Sequence, residues 1–272
     1  MPPNIMDNKE LVDRICQDIK KSKKYKSVYD KTMYRIVRDF SLKNNNQKIV
    51  EKKAKNLLHQ IWGAFYATRP NFKKVLIRLE TDIKSGKSAQ ESVLPILRLQ
   101  SSVAERIPIL SDFYKKIFEV TGVPNSVIDY ACGLNPLTLF WMDLPASAKY
   151  QAFDIDQDQT DFLNEVFGIL KVKNATVALG DVLCDQLEYA DVVFLLKLLP
   201  CLEHQKKDAG MELLKKLSCK YIVVSFPVKS LGGKKAGMAD FYRNHFKSMV
   251  EKEGWGIIEI WFDTELVFVI KK

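Results

Sequence analysis

The apolar positions of the chain change period near residue 120. Before it they recur at helical spacing: Leu11, Val12, Ile15, Cys16 and Ile19, then Tyr29, Met33, Ile36, Val37 and Phe40. A third set is Val50, Ala54, Leu57, Leu58, Ile61, Trp62 and Phe65. Side chains three and four positions apart share one helix face, so each set predicts an amphipathic helix. The polar stretch 41–47 reads as a loop. Further helices are expected over 71–81 and 90–119, the latter interrupted near Pro95 or Pro108, because proline removes a helical N–H and clashes with the preceding turn.

After Gly122, Pro124 and Asn125, short apolar runs alternate with helical patterns. The runs are 126–130, 150–155, 175–179, 192–196 and 221–226. Phe162, Leu163, Val166, Phe167 and Leu170 mark one intervening helix; Met211, Leu213, Leu214 and Leu217 mark another. Such alternation predicts a parallel sheet with crossover helices. The last two runs, 256–262 and 265–270, are separated only by Asp263-Thr264 and predict a hairpin. The expected fold is α/β: a Rossmann-like, mostly parallel sheet closed by a C-terminal antiparallel hairpin, preceded by a helical part. That is the architecture of class I S-adenosylmethionine-dependent methyltransferases rather than the plain dinucleotide-binding pattern.

Charge divides the chain at about the same place. Residues 1–105 carry 22 Lys and Arg against 11 Asp and Glu, while residues 106–272 carry 20 against 22. The whole excess of +9 therefore lies in the N-terminal part. A basic helical domain with its linker helix (1–105) beside a near-neutral methyltransferase domain (106–272) is expected, with Lys20, Lys21, Lys23 and Lys24 as candidate RNA contacts. A solvated basic face is the alternative. The N-terminus lacks the apolar core of a signal peptide, and no apolar run approaches the ~18 residues of a membrane span. A soluble, cytoplasmic protein is expected. The five cysteines form no CxxC pair, so buried reduced thiols are expected rather than disulfides or a zinc site.

The candidate chemistry lies at strand ends. The first strand runs into Asp129-Tyr-Ala-Cys-Gly-Leu-Asn-Pro136, where Gly133 lets backbone approach a ligand closely. The second ends at Asp154, placed to accept hydrogen bonds from ribose hydroxyls. The third leads to Asp181 and Val182, able to meet an adenine through a carboxylate and a backbone N–H. One glycine or one aspartate is weak; three such signals in order fit a nucleoside cofactor. The absence of GxGxxG counts against a nicotinamide dinucleotide. Lys197 interrupts the apolar fourth strand and either has an anionic partner or snorkels to the surface. The segment Ser225-Phe-Pro-Val-Lys-Ser-Leu-Gly-Gly-Lys234 suits a loop touching a phosphate backbone, or a flexible basic linker. The three histidines sit apart and suggest no hydrolase.

Several longer strings carry a resemblance. They are Leu58-His-Gln-Ile-Trp-Gly-Ala-Phe65, Glu105-Arg106, Ala131-Cys-Gly-Leu-Asn-Pro136, Ala152-Phe-Asp-Ile-Asp156, Val193-Phe-Leu-Leu-Lys-Leu-Leu-Pro200, the Ser225–Lys234 string, Gly237-Met238 and Glu265-Leu266. Across nearly the whole chain the sequence resembles the aminoglycoside-resistance methyltransferases of the 16S rRNA (guanine(1405)-N(7)) type. The resemblance implies S-adenosylmethionine as cofactor and 16S rRNA within the 30S subunit as substrate, with methylation of guanine N7 conferring aminoglycoside resistance. It implies that Arg106 meets the methionine carboxylate, with Gln100, Ser101 and Ser102 beside it. It further implies that Ala131 and Gly133 line the methionine end, Asp154 holds the ribose, and Asp181 and Val182 meet the adenine. Leu196, Gln205 and Phe65 would close the pocket. Lys197 and Glu203 would position the reacting groups, and Lys229 and Lys234 would contact RNA. A monomer is expected. The chain departs from the family pattern at Gln100-Ser-Ser-Val103, where His-x-Ser-Thr is usual, and at Ala239-Asp-Phe-Tyr242, where Glu-x-Asn-Tyr is usual. The alternatives are a methyltransferase for another RNA site or a small metabolite, and a noncatalytic RNA-binding protein that retains the cofactor fold.

Overall fold

The structure, a computed structural model, describes residues 5–66, 68–228 and 238–272. Lys229, Lys234 and Gly237 lie outside the described residues. Five strands run parallel: β1 (Ser126–Tyr130), β2 (Lys149–Asp154), β3 (Ala175–Leu179), β4 (Ala190–Leu196) and β5 (Cys219–Pro227). β6 (Gly256–Trp261) and β7 (Glu265–Lys271) form the closing hairpin, and β7 pairs antiparallel with β5. The order is β3-β2-β1-β4-β5-β7-β6. The strand order reverses between β1 and β4, which opens a crevice at the carboxyl ends of those strands.

Neighbouring residues of the central strands serve opposite faces. Val127, Val192, Phe194, Val223 and Val267 belong to one buried cluster, while Ile128, Val193, Leu195, Val224 and Leu266 belong to the other. The pleat sends successive side chains to opposite sides, so a sheet covered on both faces reads as continuous apolar runs. The first face is covered by α4 (Phe72–Lys84), α5 (Ala89–Leu97), α7 (Leu110–Thr121) and α8 (Gln157–Ile169); the second by α10 (Ala209–Lys216) and α11 (Met238–Glu251). The short helices α6 (Ser101–Ala104) and α9 (Leu199–Glu203) lie at the crevice.

Two expectations need correction. The stretch 90–119 is not one helix with one interruption. Pro95 is accommodated inside α5, and the chain breaks after Leu97 and again around the 3-10 turn Ile107–Ile109, which contains Pro108. These breaks let α6 turn towards the ends of β1 and β4. The cysteines are unpaired, but only Cys132 is buried; Cys184 is exposed and the other three are half-buried. No described helix is long and apolar enough to cross a membrane.

The first three helices, α1 (Ile5–Lys20), α2 (Asp30–Ser41) and α3 (Gln47–Ile61), close on a core of their own that includes Ile15, Ile19, Met33, Ile36, Val50 and Leu58. Asn46 caps α3 by accepting from the Ile49 N–H at 3.2 Å. This unit is tied to the sheet at the end of β2. The Tyr29 N–H donates to the Ile155 carbonyl at 2.7 Å and the Gln157 N–H to the Ser27 carbonyl at 2.8 Å. Arg69 grips the fully buried Asp156 through two N–H···O bonds of 2.9 Å, and the Trp62 indole N–H donates to the same carboxylate at 3.0 Å. Fork-to-carboxylate pairing of this kind fixes orientation as well as charge. Replacing Arg69 by alanine leaves the Asp156 carboxylate with the indole as its side-chain donor. The Arg69→Ala variant is expected to unfold with a loss of about 2–3 kcal/mol, measured as a lowered urea midpoint against wild type.

Candidate active site

The loop after β1 is bent by two left-handed residues, Ala131 (φ 54°) and Gly133 (φ 53°). At Gly133 the side chain is excluded by space as well as by dihedral: a Cβ would fall 2.3 Å from Gln100 Oε1. That oxygen accepts from the Leu134 N–H at 2.7 Å, so Gln100 is clamped onto the loop. The Gly133 N–H donates to Asp154 Oδ2 at 2.8 Å, and the other Asp154 oxygen accepts from the Ile155 N–H at 2.7 Å. Burial pushes the Asp154 carboxyl up to about 6 despite these donors.

Beneath the loop lies a buried charge network. Arg106 donates to both oxygens of Glu265 at 2.9 and 3.0 Å and to Asn135 Oδ1 at 2.6 Å. Arg106 and Glu265 are buried. Lys197, at φ 58° just past β4, reaches the Glu105 carboxylate at 2.7 Å, the Ser102 carbonyl at 3.0 Å and Glu265 at 3.3 Å. Asn135 donates to Asp129 Oδ2 at 2.7 Å, as does the Tyr150 hydroxyl. Burial raises the Asp129 carboxyl to about 7, while the neighbouring cations hold Glu265 below its ordinary range against its own desolvation.

The far wall of the crevice belongs to the N-terminal helices. Asp181 Oδ2 accepts from Arg35 Nη2 at 2.8 Å and from the Thr32 hydroxyl at 2.8 Å. Arg35 also donates to Gln205 Oε1 at 2.7 Å. The resulting cleft is lined by Phe65, Gln100, Ser102, Arg106, Ala131, Gly133, Asp154, Asp181, Val182, Leu196, Lys197 and Gln205. All of these were expected from the sequence. Ser101 is not on the lining; its hydroxyl donates to the Phe65 carbonyl at 3.2 Å and so anchors a residue that is.

Glu203 also lies off the cleft. Its carboxylate accepts from the Asp208 and Gly210 N–H groups, both at 2.9 Å, at the start of α10. Among the basic candidates, Lys20 pairs with Asp30, Lys21 with Asp18 at 2.7 Å, and Lys24 lies 3.2 Å from His59 Nδ1. Lys23 is exposed.

Sequence reasoning missed Thr32, Arg35, Trp62 and Gln159, which also line the cleft. Nothing distinguishes Arg35 from the many other cations of its region; only the fold shows which one faces Asp181. Glu265 belonged to a matching string, but its partner 159 residues away is visible only in three dimensions.

A Rossmann-like sheet with an antiparallel closing strand, and a one-glycine loop facing a carboxylate at the end of β2, define a class I S-adenosylmethionine-dependent methyltransferase. The sequence matches the family described as ribosomal RNA methyltransferase (FmrO) over residues 21–269, and the chain belongs to that family. It is 36% identical over 270 residues to a 16S rRNA (guanine(1405)-N(7))-methyltransferase of Micromonospora echinospora, covering 97% of each chain. It is 32% identical over 269 residues to one of Frankia casuarinae, covering 97% of this chain and 94% of that one. The 16S rRNA methyltransferase RmtF, solved with S-adenosyl-L-homocysteine, superposes with a TM-score of 0.83 at 28% identity, over 97% of this chain and 98% of that one.

Glu265 is the only carboxylate that contacts both Arg106 and Lys197 among the described residues. Glu265→Gln is expected to cost about 3–5 kcal/mol, because two buried cations lose their shared counter-charge. A denaturant midpoint within error of wild type would show that the pair is not needed for folding.

Proposed function

We propose that this protein transfers a methyl group from S-adenosyl-L-methionine to N7 of guanine 1405 in 16S rRNA within the 30S subunit, a modification that confers aminoglycoside resistance. The observation that carries this reading is the match along nearly the whole chain to curated enzymes of that activity, together with a cleft fitted for a nucleoside cofactor. The fit is physical. Two buried polar atoms of the lining, Asp129 Oδ1 and Gln159 Nε2, have no hydrogen-bond partner in the protein. Buried polar atoms are nearly always satisfied, so such a pair at a cleft fits a polar ligand.

In this reading Asp154 accepts from the ribose, Asp181 and Val182 meet the adenine, and Gln100, Ser102 and Arg106 surround the methionine end. Three Arg106 donors are already engaged, which orients the guanidinium and leaves its other N–H groups for a carboxylate. Phe65 and Leu196 close the apolar walls. When bound, the cofactor supplies an activated methyl on a sulfonium. Guanine N7 carries an in-plane lone pair and no proton, so no general base is required. The protein's task is alignment, and orientation can contribute roughly 7–11 kcal/mol in favourable cases. Lys197 serves as a positioning residue, since its ion pairs fix the end of β4. Glu203, bound to the start of α10, supports that wall from outside the cleft.

The N7 edge faces the major groove, and within folded RNA the base must leave its stack at a cost of a few kcal/mol. Phosphate contacts from the basic helical part, taken as residues 1–105 with the methyltransferase part as 106–272, offset that cost. Lys23 and Lys24, with Lys20 and Lys21 beside them, are the N-terminal contacts in this reading. The protein acts as a cytoplasmic monomer on the assembled subunit.

Purified protein is expected to transfer labelled methyl to intact 30S subunits, with the label mapping to guanine 1405 by primer extension. Transfer to a small molecule with none to 30S subunits would sink the assignment. Cofactor affinity should depend on pH. The Asp154 carboxyl of the free protein lies at about 6, and ribose hydroxyls donate to its ionised form. Affinity by calorimetry should therefore strengthen as pH rises through about 6 and weaken below it. Asp154→Asn should bind more weakly throughout and show no such transition. For the free protein the sign is opposite: stability from the raised Asp154 and Asp129 carboxyls is fully present below 3.8 and is lost as pH rises through about 6 and then about 7.

A further inference from the structure

A second concavity joins the cleft at Arg35, Val182 and Gln205, which line both. It runs between α2 with its following turn on one side and the start and outer face of α10 on the other. Arg35, Arg38 and Lys43 come from the first wall; Lys206, Lys207 and Lys216 come from the second. Asp39 and Glu212 are its carboxylates. Arg35 is paired with Asp181, Arg38 with Asp39 and Lys206 with Glu212. Lys43, Lys207 and Lys216 are exposed, and none has a carboxylate within salt-bridge distance among the described residues.

This clustering is hidden in the chain's charge balance. Residues 106–272 carry slightly more acid than base, yet their part of the groove presents three lysines to one glutamate. The groove is also assembled from both parts of the protein, so its shape depends on how α2 is seated against Asp181. A concave strip with unpaired cations on facing walls, opening into the site of methyl transfer, suits a polyanion that tracks along it. A small anion would need convergent buried donors, and here the unpaired groups are solvent-exposed lysines on separate elements.

We propose that the groove between α2 and α10 holds the sugar–phosphate backbone of the RNA strand whose guanine enters the cleft, with Lys43, Lys207 and Lys216 contacting phosphates. This rests on the rRNA reading above and adds a contact surface separate from Lys20–Lys24 and the segment containing Lys229 and Lys234.

The test compares wild type with the triple variant Lys43→Ala, Lys207→Ala, Lys216→Ala in binding to intact 30S subunits across a salt series. A matched triple, Lys149→Ala, Lys173→Ala, Lys252→Ala, removes the same charge from exposed positions at or just before the starts of β2, β3 and β6, at the end of the sheet away from the crevice. Each lost phosphate contact should reduce the log–log salt slope by about one. The groove variant should thus lose about 2–3 of the slope and roughly thirtyfold in affinity at about 50 mM salt. The matched triple should change little. Both variants should bind S-adenosyl-L-homocysteine as wild type does, which shows that the cleft is intact. An unchanged slope in the groove variant, or an equal loss in the matched triple, overturns the groove proposal. Failure of the wild type itself to bind or methylate 30S subunits overturns the rRNA reading instead.

Discussion

The pairing of Arg106 with Glu265 is the constraint on which the rest of the site depends. A guanidinium and a carboxylate with almost no solvent exposure are held by mutual charge and by further contacts from their neighbours. Those neighbours come from three separate elements at the crevice. Asn135 follows β1, Lys197 follows β4, and Glu265 opens β7. Replacing such a cluster by apolar side chains is often neutral or favourable for stability, so its presence is better explained by position than by energy. It sets where the loop after β1 sits relative to the end of β4, the two points that frame the cleft.

The antiparallel hairpin acquires a role from this arrangement. β7 inserts between β5 and β6, and that insertion brings Glu265 under the cleft. A parallel sheet ending at β5 would place no carboxylate between Arg106 and Lys197. The left-handed backbone at Lys197 belongs to the same constraint: its N–H donates to the Ser225 carbonyl and hydroxyl while its ammonium turns back to Glu105 and Glu265. A side chain that reads in sequence as an interruption of an apolar strand is a cross-link between β4, α6 and β7. Of the two readings open for it, a partnered lysine is the one the structure bears out.

Most of the sheet was legible in the sequence because strands buried on both faces appear as short apolar runs, and the five parallel runs coincide with the strands to within two residues at each end. The cleft lining was legible where it lies at strand ends, as with Gly133, Asp154 and Asp181, since chain order alone places those positions along one edge. The misplaced residues share a cause. Ser101 and Glu203 adjoin lining residues in sequence, but a helical turn directs them elsewhere, one to the Phe65 carbonyl and the other to the N-terminus of α10. Arg35 and Thr32 were illegible for the opposite reason. Their helix contributes to the cleft only after the N-terminal unit docks, and docking depends on long-range pairs such as Arg69 with Asp156 that no local pattern encodes.

That docking bears on how substrate and cofactor sites communicate. Carboxylates following β2 and β3 are already met by cations of the N-terminal helices or the segment following them: Asp181 by Arg35, Asp185 by Lys31, and Asp156 by Arg69. Asp181 is assigned to the adenine in the proposed reading, yet one of its oxygens is shared by Arg35 and Thr32 and the other accepts from the Leu183 N–H at 2.9 Å. An adenine amino group meeting this carboxylate therefore enters an existing hydrogen-bond set. Arg35 lies on α2, the helix that also carries Arg38 and leads into Lys43, so coupling between cleft and groove would run through it. Linkage requires such coupling to act in both directions. The seam between a basic helical unit and a near-neutral sheet thus places Arg35 on the lining of both the cleft and the basic groove, where any such coupling has to pass.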